Sequence, residues 1–396
     1  MGAQRDIAIA GCGVAGLSLA ALLRRQGARV VVYDRLETPQ PLGSGIIVQP
    51  VGLAVLDELG VGAEIRALGA SIVRLHGRSW PKRNVVLDVR YANGASGLGV
   101  HRGALFQVLY DAALKSGAEI VGGHEVIGAG GGRLQFASGK ESARFDLVID
   151  ALGVRSPLSR APQAPLPFGA LWASLDWVED FDAAALEQRY VAARKMVGVM
   201  PIGRLQNAPR QQAAFFWSLK HKDRDAWRAA PLETWKDEVR ALWPATAPLL
   251  TQIRSHDDLV FAVYAHRTLR EPVSRDCVHV GDSWHCTSPQ LGQGANMALL
   301  DALALARALE TQSNLDAALS EYARMRLWHI RFYQAVSFLF TPAYQSDSAA
   351  IAWLRDWIMS PLSRVWPGPD LLSALVAGEF GAPLEAIGEW RIANGE

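Results

Sequence analysis

The sequence is poor in cysteine. Its 396 residues carry three, Cys12, Cys277 and Cys286, too few and too scattered for a disulfide framework, which points to a reducing, cytoplasmic setting. It also lacks an excess of either charge: 40 basic against 39 acidic residues leave +1, and no case for nucleic acid or acidic partners. No apolar run approaches a membrane-spanning length. The first apolar stretch, Ile7 to Ala10, is too short for a secretory leader and has no cleavage site, and the start MGAQRD lacks the serine or threonine of a myristoylation signal. His279, His285 and Cys286 do not stand at a metal-ligand spacing, so no metal is expected. What the chain does have is apolar residues, 50% of the total, enough for more than one core.

The glycines carry the strongest local signal. The apolar strand Ile7 to Ala10 runs directly into GCGVAG, Gly11 to Gly16. Leu17 to Gln26 then reads as a helix closed by Gly27, and Ala28 to Tyr33 as a buried strand ending at Asp34 and Arg35. This is the strand, glycine turn, helix and acidic residue of a dinucleotide fold. Gly11 makes the tight turn, Gly13 lets backbone approach a pyrophosphate, and Gly16 lets helix and strand pack closely. The N–H groups around Val14 and Ala15 face the phosphates with the helix dipole behind them. A carboxylate at Asp34 suits ribose hydroxyls and repels a phosphate, so FAD or NAD is favoured over NADP.

The following segments alternate between two textures. LGSGIIVQP, Leu42 to Pro50, reads as a close-approach loop and Val51 to Leu68 as one or two helices. Ser71 to Arg90 suggests two antiparallel strands, His101 onward a helix, Ala118 to Val121 a strand, and Asp146 to Asp150 a buried strand. The run Gly128 to Gly132 lacks the dinucleotide spacing and reads as a hairpin loop. Pro165 to Val273 is strand-rich with one helical excursion at Leu232 to Leu242, and Cys277 to Gly281 returns as a last strand. The expected fold is α/β: a Rossmann-like nucleotide domain in three pieces (1–70, 98–160 and 276–312) interleaved with a mostly antiparallel substrate-binding sheet domain (71–97 and 161–275), plus a helical C-terminal region (313–396). In that last region Met325, Trp328, Phe332, Val336 and Leu339 form a stripe that stops before Pro342, and Trp353, Leu354, Trp357 and Ile358 share a second face. Packing against the body of the protein is expected for both, with a homodimer contact or a membrane surface as the alternatives.

Taken in order, GCGVAG, Asp34, Arg102, DALGVRS and GDSWHCTSPQLGQGAN (Gly281 to Asn296) resemble the single-component flavoprotein aromatic hydroxylases, the p-hydroxybenzoate hydroxylase-like family. The resemblance implies that the chain binds FAD. Asp282 then meets the ribityl chain or a ribose, and Pro289 sits by the isoalloxazine. The backbone of Leu291 to Gly294, with Gly292, Gln293, Ala295 and Asn296, meets the pyrimidine end at a helix N-terminus, stabilising negative charge on reduced flavin. Arg102 corresponds to the family arginine on the phosphate side, and MPIG (Met200 to Gly203) to the strand end facing the flavin. One position departs from the pattern. Leu152 stands where an aspartate is expected, although Gly153, Arg155 and Ser156 are kept, and this touches the approach of NAD(P)H.

The implied reaction is a monooxygenation: NAD(P)H reduces the flavin, dioxygen adds, and a flavin hydroperoxide passes one oxygen atom to an aromatic or similar planar small molecule. Trp172, Phe215, Trp217 and Tyr264, with Pro289, are candidates to line an apolar substrate pocket. His266 and Tyr264 are candidate bases for a phenolic substrate. Cys12 and Cys286 fall in the flavin segments and read as space-filling thiols. The alternatives are an externally reduced monooxygenase or a reductase of the same fold, for which Leu152 speaks, and a flavin-binding protein without turnover.

Overall fold

The computed structural model describes residues 5–38, 43–159 and 164–387; the boundary expected at 160–161 lies outside them. A five-stranded parallel sheet holds Val278–His279, Leu147–Asp150, Asp6–Ala10, Arg29–Tyr33 and Glu119–Val121, in that spatial order. Its strands are apolar on both faces because both are covered. Ile7 and Ile9 pack on helices Val14–Arg25 and Gly294–Thr311, whereas Ala8 and Ala10 meet Leu134, Phe136 and Phe145 around the hairpin Val126–Gly130 and Arg133–Phe136.

An eight-stranded sheet forms the second layer. Its order is His285–Cys286, Val260–Thr268, Ala164–Asp176, Gln212–Lys220, Lys195–Pro201, Ala185–Val191, Arg74–Ser79 and Val85–Arg90. All pairings are antiparallel except that of Ala185–Val191 with Arg74–Ser79. The strand end Pro201 to Gly203 joins this sheet to the nucleotide half, for the Ile202 carbonyl accepts from His101 N–H (2.9 Å). The outer face is closed by more helix than expected: Arg224–Ala229 and Ala247–Thr251 accompany Leu232–Leu242.

The long helix Leu315–Tyr344 does not stop before Pro342 but runs through it. A proline in the last turn forfeits a single backbone bond, the one to the Phe338 carbonyl, and the helix ends at Tyr344, two residues on. Met325 is buried, Phe332 and Val336 pack towards Leu291 and Leu375, and Trp328 and Leu339 are exposed. Trp353, Leu354, Trp357 and Ile358 point outward, against the expectation that they cover the core. The polar partners of their helix lie on its inner side instead.

Candidate active site

The glycine turn has the geometry its spacing demands. Gly11 adopts φ +109°, and a Cβ there would stand 2.5 Å from the Ala151 carbonyl oxygen, so only glycine lets strand Asp6–Ala10 pass this close to the next loop. Gly16 lies so near Gly11 that a Cβ would come within 2.1 Å of its carbonyl oxygen. Gly13, in contrast, faces open space at the start of helix Val14–Arg25, whose first turn no side chain caps. Asp34 stands beside it. Its Oδ2 accepts from Cys12 N–H (2.9 Å) and its Oδ1 from Leu36 N–H (3.0 Å), which fixes the carboxylate at the mouth of the strand, while Arg35 is exposed.

The second segment meets the first across this opening. Gly281, with φ +61°, packs on Ala15 and Ala298 and donates its N–H to Asp301 Oδ2 (2.8 Å). Asp282 opens into the cleft opposite Gly294, where crowding protein raises its carboxyl above the ordinary range even though His285, Arg102 and Arg267 pull it down. Pro289 is exposed at the start of the turn Pro289–Leu291, Gly292 is left-handed, and helix Gly294–Thr311 begins without a side-chain cap. Asn296 braces this bend: Oδ1 accepts from Gln49 N–H (2.8 Å) and Nδ2 donates to the Gly292 carbonyl (2.9 Å). Gln293 turns its amide back to the Val376 carbonyl (2.7 Å), which leaves the backbone of Gly294 and Ala295 towards the opening. Arg102 starts helix Arg102–Lys115 from the third side, close enough to act on both Asp282 and Tyr264.

These residues fit a dinucleotide. Two uncapped helix N-termini point at one cleft, Gly13 and Gly153 leave open space on its floor, and Gln49 Nε2, buried beside Gly292, has no partner among the described residues. Cys12 and Cys286 stay thiols, pushed up to about 12 and about 11, in each case first by burial. Among the described residues no group of His, Cys, Asp and Glu is arranged to hold a metal.

Two charged groups that sequence reasoning passed over hold this cleft in shape. Arg267, which reads as a surface residue at a strand end, is buried, and its Nη2 donates to the carbonyls of Val154 (2.9 Å), Asp282 (3.2 Å) and Gly153 (3.3 Å), tying the two cofactor segments together. Asp150 fixes the loop that carries Leu152: Oδ1 accepts from Leu152 N–H (3.0 Å), and Oδ2 from Ser156 Oγ (2.6 Å) and His279 Nδ1 (2.8 Å). Burial alone would lower His279, but Asp150 and Cys277 outweigh it and raise the imidazole to about 9. Leu152 itself joins the apolar cluster of Tyr33, Phe136 and Phe145. Behind Gly281, Asp301 accepts from His285 Nε2 (2.6 Å) and Arg326 Nε (2.8 Å), all three buried; burial would raise its carboxyl, and these two partners hold it below the ordinary range.

The sheet above the cleft corrects part of the expected pocket. Phe215 and Trp217 face away from it, packing on Trp235 under helix Leu232–Leu242. Successive residues of a strand alternate faces, so their neighbour Phe216 takes the inner side. There it stacks on Trp172 (centroids 4.6 Å apart), its ring lying over Gly198, where a Cβ would come within 2.0 Å. Trp172 Nε1 donates to Tyr264 Oη (2.9 Å). Burial pushes the Tyr264 hydroxyl up to about 12 and lowers His266, whose Nδ1 lies 3.4 Å from Thr287 Oγ1 and whose Nε2 has no partner among the described residues.

A dinucleotide cradle on a parallel sheet, completed by a second glycine-rich helix start and roofed by an antiparallel sheet, defines a flavoprotein. The chain belongs to the FAD binding domain family, whose model matches residues 4–331, and it is an FAD-dependent monooxygenase. It is 28% identical over 378 residues to the aurachin C monooxygenase/isomerase of Stigmatella aurantiaca, covering 90% of this chain and 94% of that one. It is 27% identical over 349 residues to an FAD-dependent urate hydroxylase of Klebsiella pneumoniae, covering 82% and 86%. Its fold is similar to that of 2-methyl-3-hydroxypyridine-5-carboxylic acid oxygenase in a tetrameric form (TM-score 0.79, 20% identity, 97% and 98% covered). It is also similar to Klebsiella pneumoniae HpxO complexed with FAD and uric acid (TM-score 0.77, 19% identity, 96% and 98% covered).

Proposed function

We propose that the chain hydroxylates a planar, electron-rich nitrogen heteroaromatic ring with NADH or NADPH as electron donor, the ring lying between the FAD cleft and the inner face of the large sheet. The observation that carries this reading is the Trp172–Phe216 stack with Tyr264 bonded to its edge, on a strand whose Tyr264 lies close enough to Arg102 to feel its charge and whose His266 Nδ1 lies 3.4 Å from Thr287 Oγ1 of the second cofactor segment. Relatives named for urate and for a hydroxypyridine carboxylic acid point to the same ligand shape.

Bound FAD would supply the activation of dioxygen, one atom of which goes to the ring while the other leaves as water, with the two electrons coming from NADH or NADPH. The chain's own residues bind, orient and deprotonate. Tyr264 accepts the Trp172 N–H and keeps its proton near neutrality, so its O–H serves as a donor to a ring oxygen or nitrogen. His266, kept neutral by burial and with Nε2 unpartnered, is the proton acceptor for a ring hydroxyl. The apolar surroundings of Met200, Ile202 and Ala214 exclude water. At the cofactor, Gly11 to Gly16 and Asp34 hold the adenosine diphosphate half, Arg102 and Gly153 the phosphate side, and Asp282 with Pro289 and Gly292 to Asn296 the flavin half. Asp150 and Arg267 keep the loop around Leu152 shaped without a carboxylate at that position, which supports direct reduction by the nucleotide over an external donor.

Anaerobic stopped-flow reduction of the holoenzyme by NADH and NADPH, with and without urates, hydroxypyridines and quinolones, tests the reading. Flavin bleaching stimulated by one of these rings is the expected result. Bleaching by dithionite alone, whatever ring is added, refutes nucleotide-driven hydroxylation.

A further inference from the structure

The segment from Ser348 to Trp366 is built inside out. It comprises helix Ala349–Leu354, a π-helical turn Arg355–Met359 and a last turn Ser360–Leu362. A surface helix ordinarily turns its apolar stripe inward and its polar side to water. Here Arg355 (1% exposed) and Ser360 (4%) face the protein, whereas Trp353 (57%), Trp357 (51%), Leu362 (64%), Val365 (64%) and Trp366 (81%) face out. The orientation is firmly held. Arg355 donates to the carbonyls of Ala343 (2.9 Å) and Ala192 (3.0 Å), pairs with Asp356 (2.6 Å) and lies over Tyr190 and Tyr344, and Ser360 Oγ donates to the Val85 carbonyl (2.7 Å). So many anchors on the polar side mean that the apolar side meets something other than water.

The charges around the patch choose between its two natural occupants. Lys82 Nζ stands 5.4 Å from the Trp357 ring centroid, Arg83 is its neighbour on the same turn, and the exposed Arg364, whose guanidinium donates to the Ser360 (3.1 Å) and Val85 (3.3 Å) carbonyls, stands at the edge of the patch. Asp356 is neutralised by Arg355, which leaves Asp370 as the one other acid between residues 348 and 371. In a two-fold dimer the same patch faces itself, which would press this cationic rim against its own copy. An anionic lipid surface complements it, and exposed tryptophan beside cations is the composition of an interfacial segment. Among the described residues no helix is long and apolar enough to cross a membrane, so the segment would lie on one.

We propose that this face docks on an anionic membrane surface, with Trp353, Trp357, Leu362, Val365 and Trp366 in the boundary between headgroups and acyl chains and with Lys82, Arg83 and Arg364 on lipid phosphates. The proposal is independent of the ring that the enzyme hydroxylates.

Flotation of the holoenzyme with phosphatidylcholine vesicles, with and without about 30% phosphatidylglycerol, tests it at low and high salt. The expected result is co-flotation with the anionic vesicles, a blue shift of tryptophan emission, and binding weakened about tenfold or more by high salt, by K82E/R364E or by W353S/W357S/W366S. Flavin absorbance and thermal melting report whether each variant is folded, and the charge variant keeps the test open if the tryptophan variant is not. Failure of the wild-type holoenzyme to float with either vesicle overturns the proposal. So does a dimer, seen by sedimentation velocity, that neither vesicle disrupts and that W353S/W357S/W366S dissociates.

Discussion

Replacing Asp301 with asparagine tests the buried charge network that backs the cofactor cleft. In the wild-type protein its carboxylate neutralises Arg326 and accepts from His285 Nε2 and the N–H of Gly281, and the side chains of Asp301, Arg326 and His285 are shut off from solvent. Asparagine keeps an oxygen for Gly281 but leaves the Arg326 guanidinium buried without a counter-charge. Breaking one partner out of a buried pair costs about 3–5 kcal/mol, because the other charge is left desolvated. With an unfolding entropy of about 2.1 cal/mol/K per residue, a chain of this length loses roughly 1.2 °C of Tm per kcal/mol, so D301N should melt roughly 4–6 °C lower. Calorimetry of the holoenzyme measures this, and a titration of apoprotein with FAD should show weaker binding, because Gly281 adjoins Asp282. A second variant isolates the ion pair: D301N/R326M removes the stranded guanidinium, keeps an amide oxygen for Gly281 and should recover a large part of the loss. If D301N melts within a degree of wild type, the network does not carry the weight assigned to it.

Two further outcomes follow from the site. His279 has its folded pKa raised to about 9 against an ordinary value near 6.5, so its contribution is fully present below about pH 6.5 and is lost as pH rises through about 9; urea unfolding should show a decline of up to about 3 kcal/mol over that window, and H279L should flatten it. On the large sheet, W217A should destabilise by about 3–5 kcal/mol by emptying the outer core while leaving the coupling of nucleotide oxidation to product unchanged, whereas W172A should raise uncoupled peroxide formation. The reverse pattern in product assays would place the substrate on the other face.

The cofactor half was legible because its signals are local. The run from Ile7 to Asp34 declares itself through glycine spacing and two changes of hydrophobic period, and strand, helix and strand stand where those periods put them. The substrate half was less so. Alternation shows that Phe215 and Trp217 share a face, but both faces of this sheet are apolar, so nothing local says which one looks at the cleft. Arg267, Asp301 and Arg326 were passed over for a different reason: a charge within an apolar run is read as a solvated interruption, and its partners lie far away in sequence. Trp353 and Trp357 face outward against expectation because periodicity gives the width of an apolar stripe and not the direction it faces.

The family's sequence signature ends at residue 331, in the middle of helix Leu315–Tyr344, but the hydrogen bonds of the flavin segment do not respect that border. At the end of helix Gly368–Ala377, the carbonyls of Leu375, Val376 and Gly378 accept from Tyr333, Gln293 and His329. Gln293 belongs to the cofactor bend, so the tail reaches back into the cleft it follows. A chain trimmed at residue 331 would lose Tyr333 along with the tail and leave Gln293 and His329 without their carbonyl partners, so the unit that folds is longer than the matched domain. For anyone grafting this cofactor module onto another roof, the last helix is part of the module.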